Sequence, residues 1–141
     1  MPEYLGGDGM FATKITGGHI LPDALTVVSE NSLYVRGNYN GPGAGKKKPA
    51  AFLADSVTIL SENWGRRNSS GTVPGNQPDD DWGYSNLSLL SRKAKNTTVY
   101  AAMLVGSQED APANYNGGLE NLPKFMENWR NVTFTYFLKQ W

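Results

Sequence analysis

The apolar residues of this chain come in short packets, and that spacing restricts what it can fold into. The packets are LTVV at 25–28, LYV at 33–35, AAFLA at 50–54, VTIL at 57–60, and the runs from Thr97 to Val105 and from Val132 to Leu138. Each is rich in β-branched or aromatic residues and bounded by Gly, Asn, Ser or Pro, the pattern of strands separated by turns. No stretch carries the long 3.6-residue periodicity of a major helix. The 16 glycines, with abundant asparagine, supply the residues that tight turns require.

One heptad recurs. LTVVSEN at 25–31 and VTILSEN at 57–63 share Thr, Ser, Glu and Asn, with apolar residues at the other three positions. A strand pattern that returns with its turn is what the stacked coils of a β-solenoid produce, each burying inward side chains against the next. Chance likeness between two amphipathic strands is the plainer alternative. VTIL and YAAMLV are almost continuously apolar, as parallel strands covered on both faces are.

Two regions break this pattern. Residues 64–86, WGRRNSSGTVPGNQPDDDWGYSN, are dense in turn formers and charge and read as a loop excursion. Residues 119–129 hold the best helix candidate, because Leu119, Leu122, Phe125, Met126 and Trp129 recur at three- and four-residue steps. Pro123 fits only the first turn, with Asn121 as cap.

At 141 residues the chain is expected to be one domain, 1–141, with enough length to bury a core. Thirteen basic residues balance thirteen acidic ones, which argues against charge-driven nucleic-acid binding. There is no cysteine, hence no disulfide and no thiolate metal site. No apolar run approaches the roughly 18 residues of a membrane span. Residues 1–20 lack the order of a signal peptide, so the chain reads as cytoplasmic or as a mature or excised fragment. Its ending on the strand-like VTFTYFLKQW favours the fragment.

The candidate chemistry is sparse. GPGAGKKK at 41–48 has the look of a phosphate loop, but Asn40 stands where the first glycine of a Walker motif belongs and Lys47 where its hydroxyl belongs. A bend between strands, with lysines in solvent, is the expected reading. Asp79, Asp80 and Asp81 are hard oxygen donors that suit Ca²⁺, but they lack the alternating spacing of a calcium loop, so other loops would have to complete the shell. His19 is the only histidine, and without a Gly-x-Ser-x-Gly elbow it does not build a hydrolase triad. Glycan-active β-helices cluster acidic and basic side chains on one sheet face; Asp55, Arg36 and Lys46 to Lys48 are the residues that stacking could bring together. Neither a catalytic residue nor a cofactor is assigned.

Trp64, Trp82, Tyr84 and Trp129 are the aromatic candidates for ligand or partner contact, since aromatics in turn-rich segments can stack on sugars. Pinning a loop to the core is their ordinary role; Tyr115 and Trp141 belong to the same set. Asn68, Asn86, Asn96 and Asn131 each open an Asn-x-Ser/Thr sequon, which matters only in a glycosylating host.

Taken in order, LTVVSENSLYVRGNYN, KKPAAFLADSVTILSENW, and TTVYAAMLVG followed by YNGGLENLPKFMENW resemble a region of large exported bacterial proteins. These are of the type IV pilus-assembly, PilX-like, or hypothetical surface-protein kind. The resemblance spans about residues 20–138. It implies an extracytoplasmic structural or adhesive role at the cell surface and carries over no catalytic residue. The chain departs from that pattern in lacking a prepilin-like N-terminal helix.

The expected fold is mostly β: a short parallel β-helix or solenoid, with one short amphipathic helix about 119–129 packed on it or capping it. Leu25, Val27, Leu33, Val35, Phe52, Leu53, Val57, Ile59 and Leu104 form its expected core. The expected function is a non-enzymatic surface module that associates with itself or with other surface or pilus proteins. The alternative is a carbohydrate-binding module or glycan-active β-helix enzyme.

Overall fold

VTIL has no polar face, and all four of its residues are buried, which requires cover on both sides. The computed structural model, which describes residues 11–43, 45–65, 85, 87–106 and 123–136, shows how that cover arises. Among the described residues nine strands form in chain order: β1 (Ala12–Ile15), β2 (Leu25–Ser29), β3 (Ser32–Arg36), β4 (Ala50–Ala54), β5 (Val57–Leu60), β6 (Thr97–Val99), β7 (Ala102–Val105), β8 (Lys124–Phe125) and β9 (Phe134–Tyr136). Among the described residues a 3-10 turn spans Leu89–Ser91. The protein is therefore mostly β.

Three sheets hold these strands. The first runs β1-β3-β5-β8, the second β2-β4-β7 and the third β6-β9, and every strand pair is parallel. Tyr39 joins the third sheet through a parallel bridge to Val99. Neighbours in sequence thus belong to different sheets, and hydrogen bonds link residues far apart in the chain. The side chains that alternate inward meet in one cluster, where Leu33, Val35, Tyr39, Phe52, Val57, Ile59 and Val99 are almost wholly removed from water. Tyr39 and Phe52 pack with ring centroids 4.7 Å apart.

Local chemistry fixes the bends. Asn40 sits at φ 50, a left-handed conformation that asparagine tolerates well. Its amide nitrogen donates to the carbonyls of Lys48 (2.7 Å) and Tyr100 (3.1 Å), and its oxygen accepts from the Lys48 N–H. One side chain so closes both ends of the 41–48 loop. Gly18 lies flat against the Tyr39 ring, where a Cβ would come within 2.3 Å of a ring carbon.

Several expectations need correction. No amphipathic helix forms over the described part of 119–129, while Leu119 and Leu122 fall outside the described residues. Lys124 and Phe125 are strand β8, and Asn128 bridges Lys93. The backbone there is satisfied sideways, by Asn128 N–H to the Arg92 carbonyl (2.7 Å) and Ala94 N–H to the Asn128 carbonyl (3.0 Å). Three- and four-residue apolar steps arise here because Phe125, Met126 and Trp129 serve different packing clusters as the chain turns.

The repeated heptad does not stack. LTVVS is in the second sheet and VTIL in the first; Leu25 lies opposite Ala50 and Val57 opposite Leu33, offsets of 25 and 24 residues rather than 32. Of the expected core, Leu33, Val35, Phe52, Val57 and Ile59 are buried and Val27 packs against them, but Leu25 and Leu104 are exposed and Leu53 is half-buried. Leu53 and Leu104 share the outward row of the second sheet, so continuous apolarity in AAFLA and AMLV does not mean cover on both faces. Among the described residues no helix is long and apolar enough to cross a membrane.

Candidate functional site

Glu127 is the charged residue most withdrawn from water among those described, at 4% exposure. The turn after β8 carries it under the end of β5. There one carboxylate oxygen accepts from the Ser61 backbone N–H and the other from the Ser61 hydroxyl (2.7 Å). The Ser61 hydroxyl in turn accepts from the Asn63 N–H at 3.1 Å. Burial pushes the Glu127 carboxyl above its ordinary value, and the two Ser61 bonds, Arg36 and Arg92 pull the other way. Both carboxylate oxygens are engaged in joining residue 127 to residue 61. This is the geometry of a structural tie, with neither oxygen aimed at open space.

Beside it lies a cleft of about 430 Å³ lined by Phe125, Glu127, Trp129, Arg130, Val132 and Phe134. Its rings meet edge to face: Phe125 is 5.3 Å from Trp129 and 5.1 Å from Phe134, and Trp129 is 6.0 Å from Phe134. Such pairs contribute about 0.5–1.5 kcal/mol each beyond their buried area. Tyr136 stacks on Phe134 at 6.3 Å and an interplanar angle of 11°. The Trp129 indole nitrogen is buried with no hydrogen-bond partner among the described residues. The cleft can therefore take an apolar or planar group, with Arg130 at its edge.

The remaining sequence candidates fall in separate places. Trp64 is 2% exposed and packs on Leu60, with Tyr34, Leu87 and Met126 around the pair, so its ring faces protein. Trp129 is half-buried within the aromatic cleft, while Trp82, Tyr84 and the calcium candidates Asp79, Asp80 and Asp81 lie outside the described residues. Arg36 acts on Glu127, and Asp55 is buried at the corner between β4 and β5, where its carbonyl accepts from the Gly106 N–H. Among the described residues no hydrogen bond or ion pair joins Asp55, Arg36 and the 46–48 lysines, and no three His, Asp or Glu side chains gather as a metal site.

The 41–48 loop is a pinned bend. Lys46 reaches solvent, but Lys47 turns back, donating to the Gly41 carbonyl and lying 4.6 Å over the Tyr100 ring. Asn38 and His19 crowd Gly41, where an added Cβ would lie 3.0 Å from the Asn38 Cβ and 3.1 Å from the His19 Nδ1. What sequence reasoning missed is Glu127 and the ring set Phe125, Phe134 and Tyr136. An acidic residue two places after an apolar strand residue was the only local signal for the first. Comparison of the chain with known protein families, curated proteins and solved structures finds no match.

Proposed function

We propose that this chain is a structural, non-enzymatic module of an extracytoplasmic surface, pilus-associated, filament-forming or adhesive, wound as a short parallel β-solenoid. The observation that carries the reading is the order in which the chain visits its sheets. β2, β3 and Tyr39 lie in the second, first and third sheets; β4, β5 and β6 follow in that order; so do β7, β8 and β9. Parallel pairing between successive visits is how coils stack, and an interior filled by Leu33, Val35, Phe52, Ile59 and Val99 is how they hold together. The engagement of the buried Glu127 carboxylate by Ser61 supports a structural role over a catalytic one. The resemblance of 20–138 to exported pilus-assembly and surface proteins supports the location.

Antibody labelling of intact cells that carry the chain tests this. Labelling before lysis, lost when surface proteins are shaved by protease, is the expected result. Signal that appears only after lysis sinks the surface assignment.

The cleft of Phe125, Trp129 and Phe134 favours a second reading, a carbohydrate-binding module in which a sugar face stacks on an aromatic ring. Saturable quenching of tryptophan fluorescence by one class of glycan, removed by Trp129→Ala, would favour it. A flat titration across a glycan panel would leave the structural reading alone.

A further inference from the structure

Each sheet carries columns of side chains set by its register, and these columns behave differently in the middle and at the ends. In the first sheet Ile15, Val35, Ile59 and Phe125 stand in one inward column. Val35 and Ile59 are buried, whereas Ile15 is only half-buried and Phe125 is 43% exposed. On the outer face of the second sheet, Val28, Leu53 and Leu104 form another column. Leu53, flanked on both sides, is half-buried, while Val28 is 70% and Leu104 65% exposed. Phe11, next to β1, and Ile20, in the turn that follows it, are exposed as well, whereas β3, β4 and β5 expose no large apolar side chain. Among the described residues no strand stands beyond β1 and β2 at one end or beyond β7 and β8 at the other.

We propose that the next rung is supplied by a second copy of the chain, docked head to tail: β1 of one molecule lies on β8 of the next, and β2 lies on β7. The proposal rests on the solenoid reading above. Three observations select this occupant. β1 and β8 bound the same sheet, β2 and β7 bound the next, and all ladders are parallel, so a translated copy offers edges of the right sense in both sheets at once. Such docking sets Leu104 beside the copy's Val28 and Phe125 beside its Ile15, giving the end residues the cover that Leu53 and Ile59 have. β2, β4 and β7 contain no charged residue, so the second sheet extends without burying a charge.

One column opposes it. Lys14, Tyr34, Thr58 and Lys124 face outward in register, so docking brings Lys14 of one copy beside Lys124 of the other. Edge lysines are a known restraint on sheet-to-sheet addition. The association is accordingly weak, strengthens with added salt as the repulsion is screened, and needs high local concentration. Because the contact is heterologous and leaves a free end, it generates chains of molecules rather than closed dimers.

Sedimentation velocity of the full chain over a wide concentration range tests the proposal. The expected result is a mean mass that climbs past a dimer and climbs further at higher salt. Val28→Asp removes the head and Leu104→Asp the tail, each at an exposed position; each variant alone stays monomeric, and an equimolar mixture forms a heterodimer that grows no further. Val28→Lys and Leu104→Lys replace any aspartate variant whose circular dichroism departs from the parent. Lys14→Glu converts the repulsive pair to an attractive one and tightens association about two- to fivefold. A chain that stays monomeric at all concentrations, covered by its own termini, overturns the proposal. So does a mixture of the two variants that yields no dimer, or association that Lys14→Glu weakens. A monomer that still labels on intact cells overturns docking alone and leaves the surface-module reading in place.

Discussion

Ile59 and Phe125 occupy adjacent strands, face to face in register, and turn toward the same interior, yet one is wholly buried and the other is 43% exposed. The same contrast holds between Val99 and Tyr136, and between Thr97 and Phe134, in the third sheet. In the middle rungs a β-branched side chain fills its place because neighbours close on it from both sides. In the last rung the chain uses rings at equivalent positions, and these cover one another where, among the described residues, no further strand stands over them. The lesson is that burial in this fold follows a strand's position within its sheet more than residue type. An inward register guarantees contact on one side, while complete burial needs a neighbour on each.

Truncation at matched positions is the sharpest way to break that contrast. Phe52→Ala, in a middle strand against Tyr39, should cost about 3–5 kcal/mol, since a fully enclosed ring leaves a cavity its neighbours cannot refill. Phe125→Ala removes the same ring from the last rung and should cost about 1–2 kcal/mol, because part of its surface is already in water. Urea unfolding of both variants measures the difference. Equal losses would mean that the last rung is as tightly enclosed as the middle.

A smaller effect is expected where the last rung is tied to the middle by hydrogen bonds. Glu127→Ala leaves the Ser61 backbone N–H, at a fully buried residue, without its acceptor. A loss of about 1–3 kcal/mol is expected. The loss should appear together with faster amide exchange at Ser61 and Asn128, since the tie and the Lys93–Asn128 bridge hold the same turn. Unchanged exchange at Ser61 would show that the tie contributes nothing to that turn.

How much of this could be read from the sequence depends on which interaction sets each element. β2, β3, β4, β5 and β7 sit within apolar packets, because each strand's own side chains form the core or a sheet face. β1, with the sequence ATKI, and β8, a Lys-Phe pair, carry almost no such signal; they are strands because a neighbour offers a free edge. Register was hidden for a related reason. Excursions of unequal length separate the rungs, so Leu33 pairs 24 residues ahead while Thr58 pairs 66 ahead. The LTVVSEN and VTILSEN likeness reflects a shared strand-and-turn chemistry on two different sheets. Of the candidate site, Trp129 was visible as an aromatic, but its companions Phe125 and Phe134 are nine residues apart and meet only through pairing with β5 and β6.

The subtlest difference between the two regions is electrostatic. Glu127 lets the last rung bond to the middle one, but it places a carboxyl where burial raises its pKa above the ordinary 4.5 despite Arg36 and Arg92 nearby. A carboxyl with a raised folded-state pKa binds its proton more tightly in the native protein than in the unfolded chain. Its contribution to stability is therefore greatest below pH 4.5 and declines as pH rises through the native value. Glu127→Gln keeps an acceptor for the Ser61 N–H and has no proton to lose, so it isolates this effect. Thermal melts of both proteins from pH 4 to pH 8 should show the melting temperature of the parent falling relative to the Gln variant as pH rises. A flat difference would mean that the two arginines and the Ser61 bonds only offset burial, and one that moves in the parent's favour would mean that they outweigh it. In that case the last rung would be held to the middle by charge rather than in spite of it.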